Sequence, residues 1–421
     1  MYDLATELFP INRSITGPGT HETLKIIKRE IPELKIHEVP SGTQVFDWIV
    51  PPEWSVNDAY IIAPSGQKIV DFQKNNLHLV GYSVPVATEL TLEELQHHLH
   101  SLSDQVDAIP YVTSYYNRTW GFCLAQRQRD QLEDGVYKVV IDSEISDGNL
   151  RYGELILQGD TEQEVFLSTY VCHPSMANNE VSGPVLLTAL ARWLGTLKNR
   201  RFTYRIIFIP ETIGSLTYLS QNLQEMADRT IAGFNLTCVG DDRAYSYLPS
   251  RNGATLADRV LTHVLTHSVV SFERYSFLDR GSDERQYCAP GIDLPVATFC
   301  RTKFGDYPEY HTSLDDLDVI SPEGLAGSFD VMSKVLRSLE MNRNYKTTVL
   351  GEPQLGRRGL YPSISVKGSY EEIITLNNLV AYADGSSLLE IAENIGVPIW
   401  DLENLVSELV DHVLLESVSI P

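Results

Sequence analysis

From about residue 141 to 340 the chain alternates strand-like and helix-like segments, and this rhythm limits the fold more than any other feature. EVFLSTYVC, YRIIFIP, IAGFNLTCVG and LPVATFC are short apolar, β-branched runs. Among and after them stand GPVLLTALARWLGTL, SLTYLSQNLQEMADR, LADRVLTHVLTHSV and PEGLAGSFDVMSKVLRSLEMN, with apolar residues at helical spacing. Strands joined by crossover helices pair in parallel, because each crossover returns the chain to the same end of the sheet. The expected fold class is therefore α/β: a mainly parallel, mixed sheet flanked by helices. Ligands in such sheets bind at the carboxyl ends of the strands, and that rule selects the loops to search.

Four strand ends carry polar clusters. The first strand runs into His173-Pro-Ser-Met-Ala-Asn-Asn179-Glu180-Val-Ser-Gly183, the second into Glu211-Thr-Ile-Gly214-Ser215. The third runs into Asp241-Asp242-Arg243, the fourth into RTKFGDYPEY and His311-Thr-Ser-Leu-Asp315-Asp316. A catalytic zinc takes about three nitrogen or oxygen ligands and keeps one position open. His173, His311 and a carboxylate supply such a set, and a further carboxylate can deprotonate water. Each residue also has a plainer reading. A lone His at a strand end is a hydrogen-bonded histidine; Glu180 and Glu211 are acids in the first turn of a helix; HTSLDD is a turn and cap. Four clusters at successive strand ends favour a site.

The flanks differ in texture. Residues 1–45 form an entry segment, with Thr20 expected to cap a helix through HETLKIIKREI. Residues 46–140 hold short aromatic and β-branched runs such as WIVPPEW, AYIIAPSG and TWGFCLA, the pattern of a small β-rich domain. One helix interrupts it, with Thr91 and Glu94 spaced as a capping box. In 350–421, SLLEIAENIG and VPIWDLENLVSELVDHVLL read as a helix-turn-helix of winged type, with Asp384 or Ser386 as the first cap. The expected domains are 1–45 with 141–345, 46–140, and 350–421.

Charge narrows the partners. The formal net charge is −23, and such a surface repels phosphate backbones and anionic lipids. The tail sets three Lys/Arg against eleven Asp/Glu, a net of −8, whereas a DNA reader needs a basic face. We expect no nucleic acid and no membrane as partner. The tail reads as a packing or interaction module, which leaves room for a homo-oligomer. The 5 cysteines are scattered without C-x-x-C spacing. The N-terminus has no signal-peptide pattern, and no run approaches the ~18–20 apolar residues of a span. Cytoplasm is the expected compartment.

Four segments resemble zinc aminopeptidases of the leucyl aminopeptidase and aminopeptidase Y type. VCHPSMANNEVSGPVLLTALAR is similar to their metal-binding His and Ser-Gly segment, and RIIFIPETIGSLTYL to their Glu-Glu strand end. YPEYHTSLDDLDVI resembles their last-ligand segment, and GSDERQYCAPGIDLP their Ser-Asp and Gly-Ile-Pro stretch. The whole chain resembles an uncharacterised bacterial branch that adds a small inserted domain and a C-terminal winged helix. SGTQVFDWIVPPEW and YYNRTWGFCL carry the likeness to that insert.

The resemblance implies a hydrolase of amide or peptide bonds with a zinc cofactor, acting on a small peptide, amino-acid-like or amide substrate. The departures imply one zinc rather than two. The metal-bridging Asp of the pattern falls on Asn179, the first Glu of the pair on Pro210, and a later ligand Asp on Thr237. Two adjacent metals need several carboxylates to offset their charge. On this reading His173, Glu180 and His311 hold the zinc and Glu211 is the general base. The exchange of Glu180 and Glu211 stays open, and Asn179 coordinates weakly or supports a ligand. Asp283, Glu284, Arg285, Arg118 and Tyr115 are the expected substrate contacts. Two alternatives remain: a degenerate peptidase fold acting as a binding or scaffold protein, and zinc-dependent acyl transfer, amide formation or cyclisation.

Overall fold

The structure is a computed structural model and describes residues 1–360 and 369–418, without the side chains of 369–372. Two helices open the chain, α1 (Tyr2–Leu8) and α2 (Pro18–Glu30), followed by strand β1 (Lys35–Pro40). Helix α2 starts at Pro18 behind Gly17 rather than at Thr20. Pro suits the first helical turn, where its missing N–H leaves nothing unpaired. The Thr20 hydroxyl donates instead to Ser14 O, at 2.5 Å.

Strands β2 (Glu53–Ile62), β3 (Lys68–Asp71), β4 (Val86–Thr91) and β5 (Val136–Ser146) form an antiparallel sheet in the order β3-β2-β5-β4. The Thr91–Glu94 capping box is present. This sheet does not stand apart. Its Trp54, Ile61, Tyr137 and Val139 share one hydrophobic cluster with Phe166 and Ile207 of the main sheet.

The main sheet has eight strands. With β6 (Asn149–Leu157), β7 (Glu164–Tyr170), β8 (Thr203–Ile209), β9 (Thr230–Leu236), β10 (Ser246–Leu248), β11 (Glu273–Arg274) and β12 (Val296–Cys300), its order is β1-β6-β8-β7-β9-β12-β10-β11. The centre is parallel, β8-β7-β9-β12, and antiparallel pairs flank it. Every residue of β7 and β8 is buried, as expected where both faces are covered. Helices α3 (Ser182–Thr196), α4 (Ile213–Arg229), α5 (Leu256–Ser268) and α6 (Pro322–Met341) fall on the four helical segments of the sequence. A Cβ on Gly183 would lie 2.7 Å from Leu236 O, so the start of α3 needs glycine to approach the end of β9.

One compact unit comprises 1–258 and 272–329, the other 259–271 and 330–421. The second contains β13 (Asn344–Thr347), α7 (Ser369–Tyr382), β14 (Asp384–Ser387), α8 (Leu388–Ile395), α9 (Glu403–Asp411) and β15 (Leu415–Val418). Its sheet runs β14-β13-β15, beside the paired helices α8 and α9 of a winged helix. The cap of α8 is Ser387, not Asp384 or Ser386, in a capping box with Glu390. Strand β14 extends to Ser387 and delays the helix.

Candidate metal centre

His173 sits in the loop after β7, and the two faces of its ring meet different chemistry. On the Nδ1 side Glu180 folds back. Its Oε2 accepts from the His173 backbone N–H at 3.0 Å and lies 3.0 Å from Nδ1. The fold-back follows from the single π-helical turn over Ala177–Val181 that precedes α3. Arg13 closes this side from the N-terminal segment. Its Nε donates to His173 O at 2.8 Å and lies 3.0 Å from Glu180 Oε1. Glu180 Oε1 receives no aligned hydrogen bond, so that contact is one of charge.

On the Nε2 side stand a carboxylate and a second imidazole. Glu211, at the end of β8, brings Oε2 to 3.7 Å from His173 Nε2. His311, from the loop after β12, has its ring centroid 5.5 Å from that of His173. Its Nε2 is buried without a hydrogen-bond partner. Burial, then the neighbouring His173 charge, lowers the His311 pKa to about 3, which favours the neutral ring. Burial works against a charged His173, but its contacts with Cys172 and Glu180 outweigh this and hold its pKa well above the ordinary value. Burial raises the Glu211 pKa, against the pull of His173 and Arg285.

The backbone at these ends is strained. His311 has φ +57° and Thr212 φ +64°, conformations worth roughly 1–3 kcal/mol each that persist where surrounding structure holds them. The residues that hold His311 come from the insert. Tyr111 N–H donates to His311 O and Ser313 N–H to Ile109 O, both at 2.8 Å. The Tyr111 ring meets His173 and His311 edge-on, at 5.5 and 5.2 Å. Nothing in the sequence marks Tyr111, Arg13 or Tyr310 (stacked on His311 at 3.9 Å) as neighbours of the site. Tyr111 and Arg13 are distant in the chain and belong to no motif, and Tyr310 is only the residue before His311.

The third strand end is structural. Asn178 donates from Nδ2 to Asp241 at 3.0 Å and accepts from Gly240 N–H at 2.8 Å. Asp315 accepts from Asn178 N–H, Asn179 N–H and Tyr307. Burial raises its pKa to about 6 even so. This knot ties the His173 loop to the loops after β9 and β12. Asn179 itself is buried. Tyr170 donates to its Oδ1 at 2.9 Å, and its Nδ2 has no partner.

The expected substrate contacts divide. Asp283 is fully buried; its Oδ1 accepts from Thr212 N–H and Ser215, and its Oδ2 has no partner. Burial, then Glu211, raises its pKa. Glu284 is buried. Both its oxygens are taken inside the fold, by Gly281 and Ser282 N–H and by Asn235 and Thr298. Arg285 and Tyr115 line a cavity of about 450 Å³ that opens beside Glu211. Arg118 is exposed and outside that lining.

Among the described residues, Cys172, His173 and Glu180 bring three donor atoms within 4.8 Å of one another. Their chemistry does not suit a cation. The Arg13 guanidinium is already there, and Glu180 is engaged by His173 and Arg13. Burial raises the Cys172 thiol to about 11, and its sulfur accepts from Glu211 N–H at 3.2 Å. The opposite, Nε2 side suits a cation better. There the Glu211 carboxylate lies 3.7 Å from His173 Nε2, the His311 Nε2 has no partner, and all three donor types are zinc ligands.

The model for a domain of unknown function, DUF4910, matches residues 2–342. The chain belongs to this family. A winged helix-turn-helix model matches the remainder, 343–417. A Clostridium acetobutylicum protein is 44% identical over 400 residues, 94% of this chain and 91% of that one. It is provisionally named a polysaccharide biosynthesis protein with an aminopeptidase-like domain. A crystal structure from the same organism, provisionally described as a peptidase, has a TM-score of 0.93 at 42% identity. The match covers 99% of this chain and 96% of that one. The zinc aminopeptidase of Bacillus subtilis has a TM-score of 0.55 at 14% identity, over 80% of this chain and 93% of that one. At that distance it shares the fold: this DUF4910 chain has a peptidase-like scaffold. No helix among the described residues is long and apolar enough to cross a membrane.

Proposed function

We propose that this chain is a hydrolase of amide bonds that works with one zinc ion held by His173, Glu211 and His311. The observation that carries the reading is the division of His173: Nδ1 is committed to Glu180, and Nε2 faces Glu211 on the crevice side. Ligands at about 2.0–2.2 Å from one tetrahedral ion stand about 3.4 Å apart, close to the 3.7 Å between His173 Nε2 and Glu211 Oε2. In place of Glu180, Glu211 is thus the third ligand of this reading. Glu180 instead fixes the tautomer of His173, as carboxylates behind metal-bound histidines do.

A zinc bound there supplies Lewis acidity to a carbonyl and lowers the pKa of water toward about 7. The chain supplies the rest. Glu211, as a ligand, faces the crevice and leaves the proton of the attacking water to a second carboxyl. Asp283, whose Oδ2 has no partner, stands behind it as a second carboxyl. Asn179 Nδ2, also without a partner, is a donor for the oxygen that gains charge as the carbonyl is attacked. Arg285 and the cavity beside Glu211 receive the substrate. The relative named for polysaccharide biosynthesis supports a sugar-linked amide over a free peptide.

Elemental analysis of the purified full chain, with and without chelator, tests this directly. One zinc per chain, lost together with amide hydrolysis and restored with it, is expected. A metal-free protein whose thermal stability ignores added zinc sinks the proposal. It would leave the scaffold reading, which has one observation in its favour: both Glu211 and His311 stand outside the 4.8 Å cluster. In the winged helix, a net charge of −8 over 350–421 supports protein rather than nucleic acid as its partner.

A further inference from the structure

The cavity beside Glu211 has two unlike walls. One is aromatic and comes from the insert. The short hairpin of Gln44–Val45 and Trp48–Ile49 presents Trp48, and the loop before Phe122 presents Tyr115 and Tyr116. These rings are 41%, 39% and 51% exposed, although residues of their size normally bury most of their surface. They are held in place nonetheless: Tyr116 donates to Ile49 O at 3.0 Å, and the Trp48 and Tyr116 rings lie 6.4 Å apart. Small polar groups, Thr113, Ser114 and Asn117, are interleaved with them.

The other wall carries charge. Arg285 donates from Nη2 to Thr212 Oγ1 at 2.6 Å. Among the described residues no carboxylate lies within 4.0 Å of its guanidinium, although the chain has 56 Asp and Glu. The planar fork of an arginine matches a carboxylate through two parallel hydrogen bonds. An arginine left without one on the wall of a cavity is a receptor for it.

We infer that this cavity binds a carboxylated sugar ring, carried by the substrate of the proposed amide hydrolysis. A pyranose has apolar C–H faces, polarised positive, that lie well on the negative face of an aromatic ring. Its hydroxyl edge suits Thr113 and Asn117, where a hydrocarbon ring would leave those groups unpaired; the Ser114 hydroxyl already donates to Gly81 O at 3.1 Å and can still accept. Its carboxylate pairs with Arg285. The cavity, about 450 Å³, falls within the ~300–1,000 Å³ of small-ligand sites.

The inference rests on the hydrolase reading only for the identity of the ligand as substrate, so its test uses metal-free full-length protein and binding alone. Methyl glucuronide, methyl glucoside, glucose 1-phosphate and phenylalaninamide are titrated by calorimetry. Glucuronide binding at least tenfold tighter than that of the other three is expected. Arg285→Gln removes that preference and leaves glucoside binding within twofold. Trp48→Ala weakens both sugars, and an unchanged circular dichroism spectrum shows that the fold is kept. Tighter binding of phenylalaninamide overturns the sugar assignment. Tighter binding of the phosphate overturns the carboxylate. An Arg285→Gln protein that keeps its full preference for glucuronide overturns the role of the arginine. Failure of the zinc proposal moves none of these readouts.

Discussion

Two pairs of histidines lie close together in this molecule, one in each compact unit, and only one resembles a metal site. In the first unit, His173 and His311 have ring centroids 5.5 Å apart. In the second, His263 and His267 are 4.7 Å apart, one turn from each other on α5. By proximity the second pair looks better. Yet His263 Nε2 already accepts the Ile399 N–H at 2.9 Å, and both rings meet Trp400 edge-on. Lys334 lies over the same Trp400. Around His173 stand Glu180 and Glu211, and the His311 Nε2 has no partner. Negative charge and an unpartnered ring nitrogen mark a cation site; short distance alone does not.

The contrast breaks most sharply by mutation. His311→Asn, which tolerates the positive φ, should remove the zinc and lower turnover on the order of a thousandfold, about 4 kcal/mol in barrier. His263→Gln should leave zinc per chain unchanged, as read by elemental analysis. The reverse pattern would place the metal in the winged-helix unit. Glu211→Gln should also lose the metal; if it keeps zinc and loses only turnover, Glu211 is base rather than ligand.

Acid should act on the second pair in the opposite sense. Burial, then the His267 charge, lowers the His263 pKa to about 4, against about 6.5 in an unfolded chain. The fold therefore favours the neutral ring. Its contribution is fully present above about pH 6.5 and is lost as pH falls toward 4, to a total of ~3 kcal/mol. Urea unfolding across that range should show the loss, and His263→Gln should flatten it. A variant with the same pH dependence as the parent would rule out His263 as its source.

Two smaller effects sharpen the first pair. Glu180→Gln should weaken zinc binding by about ten- to a hundredfold, measured by competition with a chelator, while turnover at saturating zinc changes less. Tyr111→Leu removes an edge contact to both rings worth about 0.5–1.5 kcal/mol each, and should reduce zinc affinity by roughly tenfold or less. Equal loss from both variants would mean that ring placement, not the Glu180 carboxylate, sets the affinity.

Much of this was legible in the chain. Helical and strand periodicity reports which face of an element is buried, so the alternation over 141–340 implied the parallel centre of the sheet. The strand-end rule then pointed to His173, Glu211 and His311 as neighbours, and the acidic helix pair near the C-terminus marked the winged helix. Tertiary structure alone decided where each carboxylate stands. Glu180 and Glu211 are equivalent as letters; a π-helical turn directs one behind His173, while the end of β8 directs the other in front. Tyr111, Trp48 and Arg13 reach the site from remote segments through hydrogen bonds and packing that no local pattern encodes. Sequence fixes which groups arrive at an edge, because that depends on period and order. Which lone pair stays free depends on every neighbour that arrives with it.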